Sequence, residues 1–128
     1  MTRSIRLGIS TCPNDTFAFH GLLTKKVDWR GLEFVVELLD IQELNERLRK
    51  GLFDVAKASF HAALQLAQNY IVLPTGSALG FGVGPLLLAT HPEQRPCDLR
   101  QLTLTPGEDT TASLLYELYY HDTARVEE

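Results

Sequence analysis

Through residue 68 the chain switches repeatedly between an apolar period of two and an apolar period near 3.6, which restricts it to a strand-helix alternation. Ile5, Leu7 and Ile9 alternate along residues 4–10, as in a strand with one buried face. Pro13 forbids continuing that strand, and Asn14 or Asp15 offers an oxygen to the free N–H groups of a helix expected over 16–25. Residues 32–39, with Phe34, Val35 and Val36, suit a second strand. Asp40 followed by Glu43 makes a capping-box-like start for a helix carrying Ile41, Leu44 and Leu48 on one face. In that helix Glu43 with Arg47 and Glu46 with Lys50 have the stabilising acid-before-base order, and Gly51 is its expected end. A third strand over 53–59 and an Ala- and Leu-rich helix over 60–68 complete the pattern. Such a β-α-β-α-β-α order predicts an α/β fold with a mainly parallel sheet, helices on both faces and right-handed crossovers.

Beyond residue 68 the signals thin. Two further strands are expected at 70–73 and 84–90, separated by the glycine-rich run from Gly76 to Gly84. That run has neither the GxxxxGK[ST] nor the GxGxxG pattern of a nucleotide loop, so it reads as a tight or flexible turn. Pro92, Pro96 and the charges around them mark residues 91–100 as an exposed connection between lobes. A new βα unit then starts, with a strand at 102–105, a turn at Pro106-Gly107 and a helix over 110–120 that buries Leu114, Leu115 and Leu118. Residues 1–90 thus form a first lobe and 101–128 the beginning of a second, ending in a polar tail.

A net charge of -4 with twelve scattered Lys and Arg residues provides no basic stripe for nucleic acid. Neither a signal-peptide core nor a membrane span is evident, and Cys12 and Cys97 lack CxxC spacing, so a reducing, cytoplasmic setting is expected. His20, His61, His91 and His121 have no metal-ligand spacing, and neither metal nor cofactor is expected.

Ligands of parallel α/β sheets bind beyond the carboxyl ends of strands, where helix starts present free N–H groups. Three turns qualify, at residues 11–16, 57–60 and 105–111, and together they suit a carboxylate or several hydroxyls. Asn14, Asp15, Ser59 and Thr110 are also ordinary helix-capping residues, which needs no ligand. Lys57 stands out, because it ends the otherwise apolar stretch Val55-Ala56-Lys57-Ala58-Ser59, where a charge must be paired or reach solvent. Cys12 precedes a helix start without a partner base and is read as pocket lining.

Gly8 to Phe17 contains Ser10-Thr11-Cys12-Pro13-Asn14-Asp15-Thr16-Phe17, which closely resembles the S-x-C-P-N-D-T-F signature of 1,4-dihydroxy-6-naphthoate synthases. Asp40-Ile41-Gln42-Glu43-Leu44-Asn45 is similar to that family's D-V-E-x-L-N, Lys57-Ala58-Ser59 to its K-x-S, and Gly76 to Pro85 to its G-x-A-L-G-x-G-V-G-P. Pro106-Gly107 with Thr110-Thr111-Ala112 matches its P-G-x-x-T-T-A. The resemblance implies a periplasmic-binding-protein-like fold of type II, with one nearly complete lobe and the start of a second. It also implies a lyase of the futalosine route to menaquinone, acting on cyclic dehypoxanthine futalosine without a metal or redox cofactor. Substrate contacts would fall on Lys57, Ala58, Ser59, Thr110 and Thr111, with Cys12, Asn14 and Asp15 lining the pocket.

Asp109 departs from the family, which often has a His there. The resemblance places the proton-abstracting His downstream of every motif matched here, so no catalytic residue is assigned and the chain is expected to be a truncated, inactive part. Two other readings stay open: a carboxylate-binding module without catalysis, and a chorismate dehydratase-like enzyme, against which the Cys12 to Phe17 motif argues.

Overall fold

The computed structural model describes residues 3–93, 102–120 and 125–127. Three parallel strands, β1 (Arg3–Ser10), β2 (Leu32–Leu39) and β3 (Val55–Ala56), form a sheet in the order β2-β1-β3. β1 and β2 pair along their whole length, from Arg3 opposite Leu32 to Ser10 opposite Leu39. β3 adds only Val55 opposite Leu7 and Ala56 opposite Gly8, shorter than the strand expected over 53–59. A single further backbone bond, from Lys57 N–H to the Gly8 carbonyl at 2.8 Å, carries the pairing on before the chain turns away. β1 is central, and Leu7, Gly8, Ile9 and Ser10 at its carboxyl end are all buried.

The helix expected over 16–25 is two short ones, α1 (Pro13–Ala18) and α2 (His20–Leu23), joined at Phe19. Pro13 occupies the first turn, where its missing N–H would have no partner anyway. The cap position falls on Cys12, extended as a residue before proline prefers, and neither Asn14 nor Asp15 caps the helix. Lys25 and Lys26 lie beyond the end of α2. Lys25 has φ 56° just past α2, where Lys26 N–H reaches the Gly21 carbonyl at 2.8 Å and Lys25 N–H that of Leu22 at 3.2 Å. The helix therefore ends in a Schellman motif with a non-glycine residue in the left-handed position. The Lys25 ammonium sits over the Trp29 ring, 5.0 Å from its centroid.

α3 (Ile41–Arg49) follows its local signals closely. The Asp40 carboxylate accepts from Glu43 N–H at 3.0 Å, Glu43 pairs with Arg47, and Gly51 closes the helix at φ 70°. Leu44 and Leu48 on its inner face join Phe53 and Leu66 in the core, with Leu39, Ala56, Ala58 and Tyr70 around them. α4 (Phe60–Gln65) ends sooner than residue 68.

The strands expected at 70–73 and 84–90 are not formed, and residues 71–93 run exposed without regular structure. Ile71, Val72, Leu86 and Leu88 are largely open to solvent, and Phe81 is 91% exposed. Apolar β-formers need a neighbouring ladder for their N–H and C=O groups, and no described strand lies beside these segments. The predicted connection at 91–100 lies, from residue 94 onward, outside the described residues.

β4 (Leu102–Leu104) and α5 (Thr111–Tyr120) form where expected, and the polar end of the chain contributes β5 (Arg125–Glu127), parallel to β4. α5 does not bury the leucine face expected of it. Leu115 and Leu118 are exposed, Leu118 at 65%, Leu114 is half-buried, and the residue fully covered is Ser113. α5 docks through polar groups at its first turn, leaving Leu115 and Leu118 without a described surface to cover.

At the amino-terminal side of the sheet, Asp54 receives the Arg6 backbone N–H at 2.8 Å and its guanidinium at 3.3 Å. These bonds hold the Asp54 carboxyl below the usual carboxylate range. A depressed folded-state value stabilises above the unfolded carboxylate range and is lost as pH falls through the folded one. Asp54→Asn is therefore expected to flatten the acid limb of a stability-against-pH curve measured by urea unfolding, leaving its neutral-to-basic shape unchanged.

Candidate functional site

The three helix-start turns converge. The first is joined to the second by an ion pair, Lys57 Nζ to Asp15 Oδ1 at 3.0 Å. Asp15, 6% exposed, also accepts the Ser10 hydroxyl at 2.6 Å, and Ser10 Oγ takes the Cys12 N–H at 3.2 Å. The lysine charge at an apolar strand end is thus matched by a buried carboxylate, which satisfies the pairing requirement for buried charge. Lys57 Nζ gives a second hydrogen bond, at 3.2 Å, to the Gly76 carbonyl at the start of the glycine-rich run. An ammonium has three donors, and this arrangement uses two.

The second turn is joined to the third at Ser59. Its hydroxyl accepts from Ala62 N–H at 3.1 Å, capping α4, and donates to the Asp109 carbonyl. Ala58 beside it turns its methyl into the core. Thr111 Oγ1 accepts from His61 N–H at 3.4 Å, a second link between the turns. The buried Thr110 and Ser113 hydroxyls both donate to the Gly107 carbonyl, at 2.8 and 2.6 Å, and close the first turn of α5. Thr110 Oγ1 also accepts the Ser113 N–H at 3.3 Å, so the capping roles foreseen for Ser59 and Thr110 are real; Asp15 serves instead as the lysine counter-ion. Cys12 and Asn14 are exposed at the rim of the first turn.

Several residues that build this site carry no local signal of chemistry. Asn45, Gln42 and Arg49 project from one face of α3, and all three reach Asp109. Asn45 lies within the quoted Asp40 to Asn45 motif, and only its i, i+3, i+7 relation to Gln42 and Arg49 hints at a shared face. Asp109, noted as a departure from the family, is buried and paired with Arg49, whose guanidinium is held above its ordinary value chiefly by that hydrogen bond. His61 keeps Nε2 against Gln65 at 3.0 Å, while its buried Nδ1 has no described partner.

A cavity of about 510 Å³ lies between α3 and the third turn, lined by Asp40, Gln42, Glu43, Glu46, Thr105, Pro106 and Gly107. Its three carboxylates would repel an anion, and Lys57, Ser59 and Thr111 are not among its walls, so it is not the site described above. Among the described residues no cluster of three His, Cys, Asp or Glu side chains is arranged to hold a metal, and no helix is long and apolar enough to cross a membrane.

Polar turns beyond the strand ends of a parallel α/β unit occupy the place where open α/β folds bind their ligands. The chain belongs to the menaquinone biosynthesis family, whose pattern matches residues 5–128. It is 42% identical over 117 residues to a 1,4-dihydroxy-6-naphthoate synthase of Thermus thermophilus, covering 91% of this chain and 42% of that protein. A protein of the same name from Streptomyces coelicolor is 36% identical over 121 residues, covering 94% and 42%. The crystal structure of protein AF1704 from Archaeoglobus fulgidus superposes with a TM-score of 0.84 at 32% identity, covering 98% of this chain and 46% of that one. This chain spans less than half the length of each.

Proposed function

We propose that this chain supplies the substrate-binding part of a 1,4-dihydroxy-6-naphthoate synthase, a lyase acting on cyclic dehypoxanthine futalosine. In this reading the fold is periplasmic-binding-protein-like of type II, residues 1–90 and 101–128 belong to its two lobes, and the enzyme works in the cytoplasm without a cofactor. The observation that carries it is the meeting of three turns around Lys57, Ser59 and Thr111, on motifs that resemble those of that family. Lys57, with its charge matched by Asp15 and a donor to spare, faces an anionic or hydroxylic group of the substrate. Ser59 and Thr111 shape the remaining wall, backed by Ala58, whose methyl faces the core, and by the buried Thr110, with Cys12 and Asn14 at its edge.

None of the described residues is assigned as the proton-abstracting base, so binding without turnover is expected of this chain alone. Calorimetry with cyclic dehypoxanthine futalosine is expected to give saturable heat. Lys57→Met should weaken it about 10- to 100-fold, the range for losing a hydrogen bond from a charged donor. Absence of wild-type binding, or indifference to Lys57→Met, overturns the assignment. Dihydroxynaphthoate release by the chain alone would overturn the absence of a base.

A further inference from the structure

α3 has an inner face that makes core and a second face that makes almost no core but touches both binding turns. Asn45, fully buried, sits at the centre of that second face. Its Oδ1 accepts the Ser59 backbone N–H at 3.1 Å, and its Nδ2 donates to Ser59 Oγ at 3.2 Å and to the Asp109 carbonyl at 3.3 Å. One turn of helix before it, Gln42 Oε1 accepts the Asp109 N–H at 3.2 Å; one turn after it, Arg49 pairs with the Asp109 carboxylate. The backbone N–H, the carbonyl and the side chain of Asp109 are thus all held from one helix, and the same Asn45 holds Ser59.

A buried amide with its donors and acceptor all matched fixes both partners, because moving either leaves a polar group unsatisfied out of water. Asn45 is also the group that no apolar residue of its size replaces, since three hydrogen bonds end on it.

We propose that Asn45, seconded by Gln42 and Arg49, is a positioning residue: α3 acts as a spacer that sets the distance between the Lys57-Ala58-Ser59 turn and the Thr110-Thr111 turn, and so the span of ligand the two can grip. The proposal rests on the binding reading above, which these turns serve. It explains why a helix that offers no group to the ligand carries one of the chain's distinctive motifs, and gives Asp109 a role in which its charge is cancelled by Arg49 rather than shown to the substrate.

The test is residue-resolved amide exchange on wild type, Asn45→Leu and Gln42→Leu, together with calorimetry using cyclic dehypoxanthine futalosine. In Gln42→Leu the Asp109 amide is expected to exchange at least about tenfold faster, and in Asn45→Leu the Ser59 amide likewise, while Ile9 in β1 changes little. Affinity should fall about tenfold or more in Asn45→Leu, and less in Gln42→Leu, although the proposed site gives neither side chain a ligand contact. Unchanged exchange at Ser59 and Asp109, uniform acceleration that includes Ile9, or local loosening with undiminished affinity would each overturn the proposal. Should Asn45→Leu not fold, the Gln42→Leu comparison decides. If wild type binds no futalosine, the functional reading fails, and the exchange pattern alone decides whether α3 holds the two turns.

Discussion

Leu44→Ala is expected to destabilise the chain by about 2–5 kcal/mol, the range for emptying a fully buried leucine site. Leu44 is completely buried and packs with Leu48, Phe53 and Leu66. Its Cδ2 also lies only 2.7 Å from where a Cβ on Gly8 would stand, so it presses directly on the backbone of the central strand. The cavity left by truncation lies between α3 and β1, and a glycine across the gap has no side chain to move into it. Domains of this size are stable by only about 5–15 kcal/mol. Thermal unfolding followed by circular dichroism should therefore shift down by about 10 °C or more. A change below about 1 kcal/mol would mean that the core does not centre on this contact.

Leu44 was also the most readable kind of residue. Its helix is announced by Asp40 and Glu43 at the start, Gly51 at the end and an apolar stripe between, all signals that act over one or two turns. β1 and β2 are likewise legible, since alternation and β-branched residues are local. Residues 70–73 and 84–90 have equally good strand composition and form no strand, because ladder pairing is a property of two segments and one of them is not beside these residues. For the same reason Leu115 and Leu118 look like a buried face and are exposed: periodicity reports which residues want cover, never what supplies it.

The site divides along the same line. That the helix starts after β1 and β3 gather at one end of their sheet follows from topology, whereas the third start follows β4 of a separate two-stranded sheet and is held there by side-chain bonds to Asp109. Lys57 is conspicuous because charge at an apolar strand end needs an answer. The answer, Asp15, is not readable, since its local context makes it an ordinary cap and only the folded chain brings it to Lys57. Asn45 is hidden more completely. A polar residue next to Leu44 on a helix reads as a solvent-facing position until a second layer is laid over it, and that layer comes from residues 107–111.

Gly107→Val should produce a different failure from Leu44→Ala, local where the other is global. Gly107 has φ +132°, a conformation closed to β-branched residues, and strain of this kind costs on the order of 1–3 kcal/mol. A Cβ there would also meet the Gln42 side chain at 2.5–2.7 Å, so the side chain that holds Asp109 must leave. Both effects fall on a turn whose carbonyl receives the Thr110 and Ser113 hydroxyls and starts α5. The attachment of that turn to α3 is polar, made of Asn45, Gln42 and Arg49, and shares no residue with the Leu44 cluster. The strained turn can therefore detach while the sheet and α3 stay folded. Amide protection is expected to collapse over residues 110–114 and to persist at Leu7 and Ile9, with futalosine affinity lost along with the docked turn. Equal loss of protection in β1 would show instead that the turn and the sheet fold as one unit, and that α3 is not the joint between them.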